Sequence, residues 1–316
     1  MNAQAFDPET LMDAAKVFAD VDKCHDYMVS MRWPDGVKCI YCESDKIGFV
    51  KSRRVFQCKA CRKQFTVKVG TIFEESPIAL EKWLFATWMI SNCKNGVSSC
   101  EIAREIGVTQ KTAWFMLQRI RLAMQDEGAG KLSGLVEVDE TFIGARARNM
   151  HESKKARLLK NRAGFVGKTI VLGALDRHDD QVRTRVVKST KRKVLDPNVR
   201  EMVEAGSEIH TDAAAAYERL EDEYEHHVVD HMIAYVNGNV HTNGLENYWS
   251  LLKRMLRGTY VSVEPFHLFR YLDELAHRYN RRKMTNRERF ECVLRHVAGK
   301  RLTYAKLTSE TQQTVQ

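Results

Sequence analysis

The stretch HTNGLENYWSLLKR, residues 241–254, sets Asn243, Glu246, Ser250 and Lys253 at steps of three and four. A helix would display them as one polar face, while Leu245, Tyr248 or Trp249, Leu252 and Leu256 form an apolar stripe that packs on a sheet. Glu246 and Lys253 stand seven apart, which is not the spacing of a helix-stabilising ion pair. Two aspartates complete the set. Asp139 lies in VEVDETF, where an acid in a half-buried strand costs desolvation unless a cation or donor meets it. Asp212 ends SEIHTD, and alone it would be read as the N-cap of a helix AAAAYERL. Ordered Asp, Asp, Glu, with thirty-three residues between the last two, these acids suit a two-metal phosphoryl-transfer site. Such a site holds two Mg²⁺ (or Mn²⁺) ions about 4 Å apart, one activating the attacking oxygen and the other stabilising the leaving one. Lys253 would meet a nucleic-acid backbone. Glu140, next to Asp139, points to the opposite face of a regular strand and is given a structural role.

A second constellation is made of thiols. Cys39/Cys42 and Cys58/Cys61 are two CxxC pairs with fifteen residues between them, the layout of a zinc ribbon in which each knuckle supplies two thiolates. Such a module folds around its Zn²⁺, with Phe56 and Phe65 as its small core. Cys24, Cys93, Cys100 and Cys292 are scattered. Lys51, Arg53 and Arg54 on the intervening hairpin are either a solvated turn or phosphate contacts.

The elements that must position these groups follow from periodicity and turn residues. Residues 8–31 read as helical and amphipathic, a pattern broken by Pro34, Asp35 and Gly36. After Pro77 come three helices, IALEKWLFATWMISNCK, SSCEIAREIG and TQKTAWFMLQRIRLAM. In the last two, Ile102, Ala103 and Ile106 share a face, Gly107 makes the turn and Thr109 caps. A helix-turn-helix would present Gln110, Lys111 and Trp114 to base edges, aided by the basic QRIR; the alternative is a purely structural hairpin. Trp83, Trp88 and Trp114 fall at helical spacing as core. QDEGAGKLSG is the linker. Beyond it LVEVDETFIG, KTIVLGALDR and QVRTRVVKS read as strands, followed by a helix over about 194–204, the strand SEIHTD and a further helix, which implies a mixed sheet flanked by helices. The basic segment ARARNMHESKKARLLKNRAGFVGK reads as an exposed loop. His210 and His241 are structural, or they orient a catalytic group or contact phosphate. EPFHLFRYLDELAHRYNRR reads as a core-covering amphipathic helix whose Arg278, Arg281 and Arg282 suit its dipole, with DNA backbone contact as an addition.

Lys and Arg outnumber Asp and Glu by 50 to 41 in 316 residues, a balance that favours a polyanionic partner. No apolar run reaches membrane-span length and the N-terminus lacks a signal-peptide layout, so the chain is expected to be cytoplasmic.

Taken together, CIYCESDKIGF, FQCKACRKQFTVKVGTIFE, VEVDETFIG, HTDAAAAY and HTNGLENYWSLLKRMLRGTYVSVEPFHLFRYLDELAHRYNRR resemble the bacterial insertion-sequence transposases of the DDE type, the ISXO-like group with an N-terminal zinc ribbon. The resemblance implies an α/β fold with an RNase H-like, retroviral-integrase-like catalytic domain and a mixed sheet. By position, Asp139, Asp212 and Glu246 match the metal-binding triad, with Asp139 bridging two ions, and Lys253 matches the basic residue after the glutamate. Members can carry Asn as the third ligand. Asn243 and Asn247 lie close by, so Glu246 rests on its spacing to Lys253, and Asn243 is given to DNA. The expected domains are a helical segment (1–35), the ribbon (36–72), a helix-turn-helix module (73–126), the catalytic domain (134–300) and a polar tail (301–316). The implied activity is metal-dependent cleavage and strand transfer on element terminal inverted repeats and target DNA, by a homodimer or higher assembly associated with the nucleoid. The alternatives are a DNA-binding regulator with an inactive RNase H-like domain and a nuclease acting on RNA hybrids.

Overall fold

The computed structural model of the chain describes residues 8–125, 130–144, 152, 167–212, 217, 220–229 and 241–309. Two compact units result, one of Met1–Gln125 with Arg281–Gln316 and the other of Asp126–Asn280. The segments 145–151 and 153–166 of the basic stretch, and all but Tyr217 and Leu220 of the helix expected after Asp212, lie outside the described residues. Among the described residues no helix is long and apolar enough to cross a membrane.

The first unit opens with α1 (Leu11–Phe18) and α2 (Val21–Arg32), within the segment read as helical. Asp20 divides them: its carboxylate accepts the amides of Asp22 and Lys23 and so starts a new helix. Strands β1 (Ile47–Val50), β2 (Val55–Cys58) and β3 (Gln64–Phe65) form an antiparallel sheet in that order. Three helices follow, α3 (Leu80–Asn92), α4 (Ser99–Ile106) and α5 (Gln110–Ala123). A Ser98/Glu101 capping box opens α4, Gly107 ends it at φ 63°, and Thr109 caps α5.

The second unit ends twenty residues before the boundary read at 300, because the chain beyond Asn280 finds its apolar partners in the first unit. Helix α9 (Asn286–Arg295) places Phe290, Val293 and Leu294 in the cluster of Phe18, Tyr27 and Trp88. The rings of Phe290 and Trp88 lie 5.3 Å apart. Part of the segment read as a polar tail is also ordered, with Leu302 buried and α10 (Tyr304–Thr308) burying Leu307.

The second unit is a mixed five-stranded sheet in the order β6-β5-β4-β7-β8. It is built from β4 (Leu135–Ile143), β5 (Thr169–Asp176), β6 (Gln181–Val187), β7 (Glu208–Asp212) and β8 (Glu225–Val229). The first three are antiparallel neighbours, and β7 and β8 join parallel to β4. Strand β8, sequence EHHVV, was not read as a strand, since its two histidines interrupt the apolar signal. Alternation along β4 sends Val136 and Val138 to one face, where they pack with Leu195, Val199 and Met202 of α6 (Arg192–Met202). The other face carries α7 (Asn243–Met255) and α8 (Leu268–Asn280), whose Leu245, Tyr248, Trp249 and Leu252 pack with Val171, Leu175, Leu272 and Leu275. Glu137, Asp139 and Thr141 share the parity that faces these helices.

Candidate functional site

In the ribbon, Cys39 and Cys61 stand 3.6 Å apart, as do Cys42 and Cys58, and all four sulfurs lie within 4.8 Å of one another. Four thiolates about 2.3 Å from one tetrahedral zinc ion would be separated by about this distance. The amide of Cys61 donates to Cys58 Sγ at 3.4 Å, and this bond, with the Ala60 amide, holds the Cys58 thiol down at about 6. The quartet is thus suited to structural Zn²⁺. The hairpin cations are less available than the sequence suggested. Arg53 donates to Gln64 at 2.9 Å and Arg54 to Asp22 at 2.8 Å, while Lys51 is exposed.

The α4–α5 hairpin keeps Gln110 and Lys111 exposed, but both are engaged. Gln110 donates to Ser99 Oγ at 2.7 Å, and the Lys111 ammonium lies 4.9 Å from the Tyr304 ring centroid. Trp114 is half-buried rather than core. The QRIR stretch is no basic surface: Gln118, Arg119 and Arg121 are buried with Ile120. Helix α5 enters the core in its second half, and Arg119 donates to the carbonyls of Leu302 and Glu74 instead. Lys111 and Arg119 line a cavity of about 460 Å³ with Trp83, Phe115 and Tyr304.

The acids of the second unit meet on the α7 side of the sheet. Asp139 sits mid-strand in β4, opposite Gly173 of β5. Its Oδ2 accepts from the Trp249 indole at 2.9 Å and its Oδ1 from the Glu140 amide at 2.7 Å. Burial raises its carboxyl to about 6 against these two bonds, and the nearby charges of Asp212 and Glu246 raise it further. Asp212 ends β7, and its Oδ1 is buried with no hydrogen-bond partner among the described residues. Glu246 projects from the first turn of α7 and is exposed, as is Asn243. Lys253, half-buried in the last turn, forms no ion pair among the described residues.

Several partners had no signal in the one-dimensional pattern. Trp249 was legible only as apolar stripe, although a buried indole N–H requires an acceptor, and that requirement was the available clue. Its ring lies so close over β5 that a Cβ on Gly173 would come within 2.6 Å of it. Gly173→Ala is expected to push the indole off Asp139 and destabilise the fold by about 1–3 kcal/mol, read as a lower urea midpoint; an unchanged midpoint would show that the contact is not tight. Glu140 faces away from Asp139 and accepts from the buried Tyr217 hydroxyl; burial pushes this carboxyl up to about 7. His210 is buried and bonds Glu208 at 2.7 Å, and burial lowers its pKa against that bond. Arg278, expected at a helix end, is buried and paired with Glu274.

This arrangement has relatives. Residues 131–280, nearly the whole second unit, match the ISXO2-like transposase domain, and residues 20–64 match the transposase zinc-ribbon domain. A protein in transposable element ISH50 of Halobacterium salinarum is 28% identical over 252 residues, covering 76% of this chain and 85% of that protein. A transposase-like protein of Haemophilus influenzae is 30% identical over 101 residues, covering 32% of this chain and 81% of that protein. The chain belongs to the ISXO2-like transposase family.

Proposed function

We propose that this transposase-family protein cleaves and joins DNA strands at the ends of an insertion sequence, using Asp139, Asp212 and Glu246 on an RNase H-like sheet. The observation that carries the reading is the convergence of three carboxylates from β4, β7 and α7 on one face of the sheet. Its support in topology is the sheet itself, with three antiparallel strands followed by two parallel ones and the acids on the first, the fourth and a later helix.

The residues fit divalent cations. A buried carboxylate oxygen without a donor among the described residues, at Asp212, and a neighbour whose ionisation burial opposes, at Asp139, form a hard-oxygen site. When bound there, two Mg²⁺ ions supply Lewis-acid activation of the entering oxygen and charge neutralisation at the leaving one. The chain's own part is orientation and electrostatics. Trp249 and the Glu140 amide fix both oxygens of Asp139, the sheet presents Asp212 beside it, and α7 brings Glu246 over them, with Lys253 two turns along to meet a phosphate. The reaction is hydrolysis of a phosphodiester to free a 3′ hydroxyl, followed by attack of that hydroxyl on a target phosphodiester, which forms a new phosphodiester as the target's own P–O3′ bond breaks and its 3′ oxygen leaves as a hydroxyl. The ribbon, Lys51 and the start of α5 at Gln110 and Lys111 bind DNA, and Arg53 and Arg54 do so by exchanging their present partners. Two element ends are joined in one event, which calls for at least two copies of the chain.

The deciding experiment incubates the purified protein with element-end DNA and Mg²⁺. Cleaved and joined products that vanish with EDTA support the proposal, and a protein that binds these ends without ever cutting them would be a regulator instead. Linkage offers a second test. The Asp139 carboxyl is raised in the folded state from 3.8 to about 6, so its contribution is intact below about pH 4 and lost as pH rises through about 6. Mg²⁺ is expected to raise Tm at pH 7.5, offsetting on the order of 2 kcal/mol of unfavourable ionisation, and to do little at pH 4.5. Equal shifts at both pH values in differential scanning calorimetry would remove the cations from this site.

A further inference from the structure

Glu137 stands two residues before Asp139 on the same face of β4, is 1% exposed, and has no part in the chemistry above. Its Oε2 accepts the Leu245 amide at 2.8 Å, one of the first-turn donors that α7 leaves unsatisfied because Thr242 supplies no side-chain cap. The approach is close: a Cβ on Gly244 would lie 2.9 Å from that oxygen. Glu137 Oε1 accepts from Arg177 Nε at 2.6 Å. Arg177 Nη2 in turn donates to the carbonyl of His241 and to its Nδ1, the latter at 2.6 Å. His241 Nδ1 also lies 3.4 Å from Glu137 Oε1. The Arg177 amide also donates to Leu135 O at 3.0 Å at the start of β4. One buried carboxylate and one guanidinium therefore tie the two residues bracketing the start of α7, His241 and Leu245, to the strand that carries Asp139.

We infer that Glu137 is a positioning residue that sets the register of α7 on the sheet and thereby delivers Glu246 to Asp139. The apolar stripe of α7 attracts it to the sheet, but hydrophobic contact is non-directional and tolerates sliding along the helix axis. The bond to the Leu245 amide is directional, and Glu246 is the next residue. The positive end of the helix dipole and Arg177 both stabilise a carboxylate at this point. The inference rests on the proposed role of Asp139 and Glu246, and adds a determinant of the distance between them.

The test uses the full-length protein as wild type, Glu137→Gln, Gly244→Ala and the double variant. Gln keeps the shape of Glu137 but not its charge, whereas Ala at 244 displaces the helix and leaves every charge in place. Each single variant is expected to lose about 10- to 100-fold in cleavage rate and to need a correspondingly higher Mg²⁺ concentration for half-maximal rate, with end-DNA affinity unchanged. The double variant is expected to be no worse than the poorer single one, because both break one contact. In metal-free protein, hydrogen exchange of the amides at 243–247 should quicken in both single variants while the rest of the sheet stays protected. Wild-type cleavage rates and metal dependence in both single variants overturn the inference and leave the proposed chemistry standing. So does a global loss of protection and DNA binding, which makes the residue one of fold stability alone. A wild type that never cuts defeats the proposed chemistry, and unchanged exchange at 243–247 then defeats the clamp separately.

Discussion

Asp139→Ala and Glu246→Gln are each expected to lower strand cleavage and joining by about 10³-fold or more, while element-end DNA binding stays within a few-fold of wild type. The two substitutions act differently on the apo protein. Glu246 is exposed and makes no side-chain hydrogen bond among the described residues, so its amide leaves the fold intact and reports on the chemistry alone. Asp139 holds the Trp249 indole and the Glu140 amide, so its removal also orphans a buried donor, which costs about 1–3 kcal/mol of stability. A single-turnover assay on labelled end DNA, with Tm measured in parallel, separates these effects. Near-normal cutting by Glu246→Gln would move the third ligand to Asn243 or Asn247, and Asn243→Ala or Asn247→Ala would then be the inactive variant. Asp212→Asn is expected to behave like Glu246→Gln, because Asp212 Oδ1 accepts no hydrogen bond among the described residues.

Removal of zinc should have the largest structural effect. The ribbon's buried cluster consists of Cys39, Phe56, Cys58 and Phe65, so half of its buried members are metal ligands. Two- and four-residue strands cannot hold such a sheet together, and structural zinc contributes about 10–16 kcal/mol in comparable small modules. Cys58→Ser, or chelation of the wild type, is expected to release one zinc per chain and open residues 37–66 to protease. Binding of end DNA should fall with it, and the sheet at 135–229 should stay intact. Zinc content by atomic absorption, with limited proteolysis of the same samples, checks this. A chelated protein with an unaltered cleavage pattern would show that the thiols do not depend on metal.

Much of the candidate site is legible in residue types and their spacing. The CxxC pairs are each closed by one short turn, so their spacing already brings the sulfurs together. The polar and apolar faces of α7 follow from 3.6-residue periodicity, which any ten residues of helix reveal. The strand character of VEVDETF and SEIHTD put Asp139 and Asp212 on extended backbone, and parity alone turned Glu140 away from Asp139. These are properties of neighbours in the chain.

What escaped is of the other kind. QRIR looked like a basic surface because charge is visible in a sequence and burial is not; carbonyls of Leu302 and Glu74 take up Arg119 instead. The boundary read at 300 moved to 280 because Phe290 and Val293 pair with aromatic residues more than 200 positions earlier, at Phe18 and Trp88. Glu137 carries no signal of its own in VEVDETF, and the amide it holds, that of Leu245, lies 108 residues away. The bond from Trp249 to Asp139 spans 110 residues and depends on a glycine in a third element, β5. Local spacing can say which side chains share a face, because backbone geometry is the same in every helix and strand. It cannot say which face meets which, since that depends on strand order, packing volume and the satisfaction of buried polar groups across the whole unit.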